Sequence, residues 1–196
     1  MISWLQRKSR ATVCSTISAL ALAIAAGTSQ AEDESVGDFA LLDHNGYFHH
    51  MAWYDNNKAV AILDQGNGAA ETRAALAQFE QLKAQYESQG IVFFLLNPLG
   101  QDRADVAAEV AALGTDIPVL IDDVQSVSES IGIEKIGEAV IYDPKSFRVV
   151  YRGAADKPFA DALSQVVAGQ PVANAHVAAQ GASVTYVQRN PSSVSY

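Results

Sequence analysis

Residues 58–96 read KAVAILDQGNGAAETRAALAQFEQLKAQYESQGIVFFLL, and this stretch decides the fold. The short apolar run 58–63 predicts a buried strand. The run 91–96 is apolar on both faces, as in the centre of a parallel sheet. Between the two runs, apolar side chains recur every three or four residues: Leu76, Phe79, Leu82 and Tyr86. This spacing predicts a helix over 69–88, and a strand, a helix and a strand in this order predict a right-handed parallel crossover.

The flanking sequence extends this unit on both sides. Before it, two apolar stretches, 39–43 and 47–54, flank Asn45-Gly46, and Asn-Gly between apolar runs predicts a β-hairpin. After it, the pattern predicts a helix at 102–113, a strand at 118–121, a short helix at 124–131, a second hairpin from 139–142 and 147–151, and a helix at 158–168. We therefore expect an α/β fold with a central mixed sheet flanked by helices and an N-terminal hairpin.

Composition excludes several classes of function. The 196 residues include 22 acidic and 13 basic side chains, for a net charge of -9, and 49% are hydrophobic. This is the composition of a globular protein, and the acidic excess argues against a nucleic-acid binder. The one cysteine, Cys14, excludes an intramolecular disulfide and any CxxC motif.

Residues 1–31 have the features of a secretory signal peptide. The first ten residues carry three basic side chains and no acidic one, residues 11–27 are apolar or small, and small residues precede a predicted cut after Ala31. Cleavage would remove Cys14 and leave a periplasmic chain without a thiol. The alternative is an uncleaved anchor, in which residues 11–27 tether the protein to the inner membrane and make its only membrane contact.

The remaining chain divides into a domain and a tail. Residues 36–168 hold the predicted α/β domain. Residues 169–196 are rich in Ala, Ser, Val and Asn and contain one formally charged side chain, Arg189. We expect a flexible or partner-bound tail, because so few large apolar residues bury little surface on their own.

From about Val36 to Asp156 the chain resembles exported redoxin domains of the peroxiredoxin, or thiol-specific antioxidant, superfamily. The likeness rests on the order and spacing of FALLDHNGYFHHM (39–51), AVAILDQGNG (59–68), IVFFLLNP (91–98), DIPVLIDD (116–123) and EAVIYDP (138–144). The resemblance implies a thioredoxin-like fold.

The resemblance also implies where the redox residues should stand. The position of the active cysteine falls on Ala69, that of a proline packed against it on Gly137, and that of a second cysteine on Ala182. Because none of the three supplies a thiol, these are vestigial positions, and we expect no thiol chemistry and no cofactor. The expected role is that of a non-catalytic binding or accessory subunit for a protein partner such as a membrane or periplasmic redox complex.

Three surfaces could meet that partner. They are the first hairpin, the tail, and a docking loop formed by Gln65, Gly66, Asn67 and Gly68. The docking loop opens the predicted helix at 69–88, so its N–H groups could also hold an anion. Trp53 and Tyr54 are interpreted as packing residues of the hairpin.

Metal-dependent alternatives stay open. His44, His49, His50 and Met51 cluster around the first hairpin, and imidazole and thioether groups suit copper. Because alternate residues of a strand face opposite ways, His49 and His50 cannot both join one site easily. Such a metal, or a borrowed cofactor, would make the protein a redoxin-family oxidoreductase or a periplasmic metal-binding protein. A weaker candidate for a hard cation is formed by Asp116, Asp122 and Asp123.

Overall fold

A five-stranded mixed sheet forms the centre of the protein in the computed structural model, which describes residues 35–187. A separate hairpin of β1 (Ala40–Leu42) and β2 (Phe48–His50) precedes it. The sheet strands are β3 (Ala59–Asp64), β4 (Ile91–Asn97), β5 (Val119–Ile121), β6 (Glu138–Asp143) and β7 (Arg148–Ala154). The helices are α1 (Ala70–Tyr86), α2 (Arg103–Leu113), α3 (Ser126–Ser130) and α4 (Lys157–Val167).

The strand order is β5-β4-β3-β6-β7. β3, β4 and β5 run parallel, while β6 pairs antiparallel with both β3 and β7. This is the central mixed sheet predicted from the sequence. The carboxyl ends of the three parallel strands meet at one edge, where α1 begins.

Alternation along β3 separates two apolar cores. Ala61 and Leu63 face the first core, which contains side chains of α1, α2 and α4. Val60 and Ile62 face the second core, which contains Met51 and residues of α3. All six residues of β3 are buried, as expected for a strand covered on both faces.

The predicted second strand of the first hairpin is wrong beyond His50. Residues Met51–Tyr54 form a short 3-10 helix instead. Tertiary packing explains why the strand ends here, because the Met51 side chain enters the second core and is 0% exposed. The N–H of Ala52 then donates to Asp38 Oδ1, which holds the bend.

Both outer strands of the sheet are covered. At β5, the N–H of His44 donates to the carbonyl of Val119 (2.9 Å), and Val119 N–H donates to His44 Nδ1 (3.1 Å). At β7, Arg152 N–H donates to the carbonyl of Ala175, and Val177 N–H donates to the carbonyl of Arg152. These contacts protect edges that would otherwise pair with other chains.

Residues 169–187 lie against the domain, which differs from the flexible tail expected for 169–196. Val172 and Val177 pack on the first core, and Val184, 8% exposed, belongs to the second. The physical reason is that backbone hydrogen bonds to β7 and to residues 134–136 position these few apolar side chains. Apolar content alone therefore underestimated how much this segment buries.

Two predictions lie outside the described residues. These are the signal peptide or anchor at 1–31 and the tail beyond residue 187. The described residues 35–187 belong to one compact unit. Within residues 35–187, no helix is long and apolar enough to cross a membrane.

Candidate functional site

The candidate site lies where β3 ends and α1 begins. Ala69, the vestigial cysteine position, is the N-cap residue of α1 and is partly exposed. The preceding loop is held by side-chain amides. Gln65 donates to Asn67 Oδ1 (2.9 Å), and Asn97 donates to Gln65 Oε1 (2.8 Å). The end of β4 therefore supports the loop that follows β3.

The N–H groups of residues 66–69 all have acceptors within the protein. Gly66 donates to Thr72 Oγ1 (3.1 Å), Asn67 to Gln101 Oε1 (3.1 Å), and Gly68 to Glu109 Oε1 (3.0 Å). Ala69 donates to the carbonyl of Gly66. The loop thus has no spare N–H for the anion considered from the sequence.

The predicted docking loop is only half accessible. Gln65 is 0% exposed and Gly66 is buried, whereas Asn67 is half-buried and Gly68 is exposed. A partner could contact Asn67 and Gly68 but not the first two residues. The buried Gln65 and Gly66 have a structural role, because their hydrogen bonds to Asn67, Asn97 and Thr72 hold the loop in place.

The other two vestigial positions meet at Glu71, in the first turn of α1. Ala182 N–H donates to Glu71 Oε1 (3.2 Å), and Ile136 N–H donates to the carbonyl of Ala182 (2.9 Å). A Cβ atom at Gly137 would lie 3.2 Å from the backbone of Glu71. The structure therefore brings Gly137 and Ala182 together at Glu71, which follows Ala69 by two residues in the sequence.

Gly137 has a φ of +80°. Proline is locked near -65°, so this backbone does not suit the proline that the resemblance places here. The conformation at this position belongs to glycine. Sequence comparison could not reveal this, because φ is a property of the folded loop.

Two buried carboxyl groups lie beneath this region, and the first of them was not predicted from the sequence. Asp64 ends β3 on the face of Ile62, and Asp122 follows β5 on the face of Leu120; both aspartates are 0% exposed. Both oxygens of Asp64 and Oδ1 of Asp122 lack a hydrogen-bond partner of good geometry among the described residues. The sequence did contain a signal for Asp64. This residue occupies the next alternate position after Val60 and Ile62, so strand alternation places its side chain on the same buried face.

The surroundings of Asp64 favour its neutral form. Burial raises the pKa of Asp64 well above its usual value, the nearby backbone N–H of Gly137 opposes this, and the charge of Glu138 adds to it. Asp122 differs, because its Oδ2 accepts hydrogen bonds from Ser128 N–H and Oγ, both 2.8 Å. Asp64 is therefore the unsatisfied group of the pair.

The histidines near the first hairpin do not converge. His44 accepts from Val119 N–H, His49 bonds Tyr54 through Nδ1 (2.8 Å) and Asp43 through Nε2 (3.1 Å), and His50 bonds Asp38. His49 and His50 face opposite ways, as expected. In the part of the chain that the structure describes, no three His, Cys, Asp or Glu side chains are placed to hold a metal, including those at Asp116, Asp122 and Asp123.

The first hairpin carries an exposed aromatic patch, defined by Leu42, Tyr47, Phe48 and Trp53, which are 46%, 70%, 50% and 61% exposed. The rings of Phe48 and Trp53 meet edge to face at 5.4 Å. Trp53 therefore packs on the hairpin, against Phe48 and His50, as the sequence interpretation held, but most of its surface stays exposed. Tyr54 packs inward, against the buried Phe94 at 5.6 Å.

Comparison with family models finds no match. Comparison with curated proteins likewise finds none. Solved structures do match, and a hypothetical protein from Sinorhizobium meliloti has 23% identity and a TM-score of 0.66 over 79% of this chain and 94% of its own. The peroxidoxin BcpB of Mycobacterium tuberculosis has 14% identity and a TM-score of 0.58, over 70% and 96% of the two chains. The exposed lipoprotein thioredoxin Etrx1 of Streptococcus pneumoniae has 19% identity and a TM-score of 0.56, over 68% and 99%.

These likenesses show that the chain has the thioredoxin-like fold implied by the sequence resemblance. Their identities, all below 25%, establish the fold alone. The function has to be argued from the site.

Proposed function

We propose that this chain is a non-catalytic, exported redoxin-like protein that binds a protein partner through the aromatic patch of its first hairpin. The candidate redox site supports the first half of this proposal. Ala69, Gly137 and Ala182 carry no thiol, and the nearby hydroxyl of Thr72 is 1% exposed and accepts the Gly66 N–H. A nucleophile must reach its substrate, so this hydroxyl is a poor substitute.

The aromatic patch is the observation that carries the binding role. Leu42 pairs in register with Phe48, and the Phe48 ring contacts Trp53. These three side chains, and that of Tyr47, remain exposed to water in the isolated chain. Contiguous exposed aromatic surface is typical of protein interfaces, where Trp and other aromatic residues supply much of the binding energy. Rigid placement favours the same role, because the Asp43 carboxylate accepts the N–H groups of Asn45 and Tyr47 across the hairpin loop.

The compartment and the partner follow from the rest of the sequence. The signal-like residues 1–31 support a periplasmic location, or a tether to the inner membrane if they stay attached. The net charge of -9 favours a partner with basic residues around an apolar centre. An exported or membrane redox complex would supply such a partner, with this chain as its accessory subunit.

The test compares two double variants of the full chain. Phe48→Ser with Trp53→Ser removes half of the aromatic patch. Val124→Ser with Val187→Ser removes two side chains of similar exposure, 61% and 69%, outside the hairpin. Each immobilised protein is incubated with an extract of the native cell envelope, and the captured proteins are identified by mass spectrometry.

We expect one captured protein to be lost with the hairpin variant and kept with the control variant. That protein, once purified, should bind the wild-type chain at least tenfold more tightly than the hairpin variant. Equal binding by all three chains would contradict the role of the aromatic patch.

A further inference from the structure

The last described residues form a strap across the second core. We call residues 182–187 the strap. Its backbone bonds to the segment before β6, with Ile136 N–H donating to Ala182 O and Val184 N–H to Glu134 O, each at 2.9 Å. The strap is therefore attached by pairing of irregular segments and lies outside the sheet.

Side chains complete the attachment of the strap. Gln125 donates to the carbonyl of Thr185 (3.0 Å) and accepts the N–H of Val187 (2.8 Å). The hydroxyl of Tyr186 donates to the carbonyl of Ile133. These bonds place Val184 and Tyr186 against the second core.

The strap lies close to the unsatisfied carboxyl of Asp64. Asp64 shares the second-core face with Ile62, and Val184 packs in that same core. Burial raises the pKa of the Tyr186 phenol to about 12, and the Ser128 side chain opposes this. Negative charge on Asp64, Asp122 or Glu129 raises it further, so Asp64 lies within electrostatic reach of the strap. Ionisation of Asp64 therefore places a charge beside an uncharged, largely apolar cover.

The charged groups near Asp64 and its neighbours are mostly acidic. The charge of Glu138 in β6 acts on Asp64 itself. The charges of Asp122 and Glu129 act on Tyr186 of the strap, and Glu71 in the first turn of α1 lies against Gly137. The Arg152 guanidinium approaches Glu138, with Nε and Oε1 3.9 Å apart, and does not form a hydrogen bond to Asp64. A carboxylate at Asp64 would thus lack both hydrogen bonds and a paired cation.

We propose that the strap is a proton-controlled cover: it is closed while Asp64 is protonated and opens when Asp64 ionises. Opening admits water to the carboxylate, which removes the penalty of burying an unpaired charge. The strap is the element that yields, because backbone hydrogen bonds between irregular segments attach it outside the sheet. Opening also unpairs residues 134–136 and uncovers the surroundings of Gly137, so the strap regulates access to the vestigial site.

The direction of the pH dependence follows from proton binding. The closed state binds the Asp64 proton more tightly than the open, hydrated state, whose pKa is near the ordinary 3.8. The strap is thus most firmly closed below that value. As the pH rises toward the raised pKa of Asp64 in the closed state, the equilibrium constant for opening increases by up to about tenfold per pH unit.

Hydrogen exchange of the full chain measures the opening directly. The amides of Val184 and Val187 report on the strap, and the amide of Ile62 in β3 reports on global unfolding. After correction for intrinsic exchange, we expect the protection factors of the strap amides to decrease as the pH rises, by up to about tenfold per pH unit. The protection factor of the Ile62 amide should not change in this way. In the Asp64→Asn variant the protection of the strap amides should be independent of pH. The control variant Asp123→Asn, which changes an exposed aspartate, should behave as wild type.

A second measurement uses the wild-type chain alone, in case Asp64→Asn does not fold. Chymotrypsin cleavage after Tyr186 requires an open strap, and a peptide spanning 180–192 corrects for the protease's own pH dependence. The corrected rate should increase with pH at constant global stability. A rate that does not change with pH, a strap that opens only when Ile62 also exchanges, or an unchanged pH dependence in a folded Asp64→Asn variant would each overturn the proposal.

Discussion

At the scale of single residues, two buried aspartates show how local partners decide the chemistry of the same side chain. Burial alone would raise the pKa of Asp43, but hydrogen bonds from His49, Tyr47 and Asn45 outweigh it, so this pKa is lowered. Asp64 is more deeply buried and lacks such donors, and its pKa is raised well above its usual value. Both residues follow apolar runs in the sequence, which therefore does not distinguish them.

Asp43→Asn tests the first case. A lowered pKa means that the Asp43 carboxylate stabilises the fold at neutral pH, and that this contribution is lost as the pH falls through the folded-state pKa. The variant should lose about 2 kcal/mol at pH 7 and less at low pH. Urea unfolding from pH 2 to pH 7 measures this, with the exposed Asp55→Asn as control. A loss of stability that stays constant over this pH range would contradict the assignment.

Gly137→Ala tests the contact between the segment before β6 and α1. Both Gly137 (φ +80°) and Gly68 (φ +74°) have left-handed backbones, so alanine should cost about 1–2 kcal/mol at either. At Gly137 the added Cβ also meets the Glu71 backbone at 3.2 Å, whereas at Gly68 nothing lies within 4 Å. We expect Gly137→Ala to be the more destabilising by at least about 1 kcal/mol in urea unfolding. Equal losses would show that α1 moves freely to admit the methyl group.

At the scale of elements, hydrogen bonds rather than apolar content position two segments. The 3-10 turn at Met51–Tyr54 replaces a predicted strand because Asp38 bonds the bend and Met51 enters the core. The segment 169–187 packs on the domain because its backbone pairs with β7 and with residues 134–136. In both segments the partners lie far away in the sequence.

A chain ending at Gln180 tests the packing of the strap. It loses the buried Val184 and the packed Tyr186, so the free energy of unfolding should decrease by about 2–4 kcal/mol. Tyr186→Phe in the full chain keeps the ring and removes the bond to the Ile133 carbonyl, for an expected loss of about 1 kcal/mol. Urea unfolding compares both with wild type. An unchanged stability of the shortened chain would restore the flexible tail expected from composition.

At the scale of the whole molecule, a thioredoxin-like scaffold is kept without the residues that give it thiol chemistry. The sheet places β3 and α1 so that Ala69 caps the helix, where the helix dipole would favour a thiolate. The two cores and the covered sheet edges depend on no residue of that chemistry. The packing of the fold therefore does not depend on thiol chemistry.

Peroxide turnover tests the loss of chemistry in the full chain. Cys14, the one cysteine, lies in the predicted signal segment, and alanine stands at the vestigial cysteine position. We expect the wild type and Cys14→Ser to consume peroxide with a dithiol reductant no faster than buffer does. Turnover that survives in Cys14→Ser and after metal chelation would contradict the non-catalytic role.

The sequence by itself determined the order of strands and helices, the mixed α/β sheet and the absence of a thiol at Ala69, while the thioredoxin-like fold was implied by the resemblance to redoxin domains. The order of the elements depends on apolar periodicity and turn residues, which are local properties. Only the tertiary structure decided that Gly137 and Ala182 meet at Glu71, that Trp53 is exposed and that Asp64 is left without a partner. Each of these depends on which distant segments are neighbours, and hydrogen bonds between such segments leave no periodic signal in the sequence.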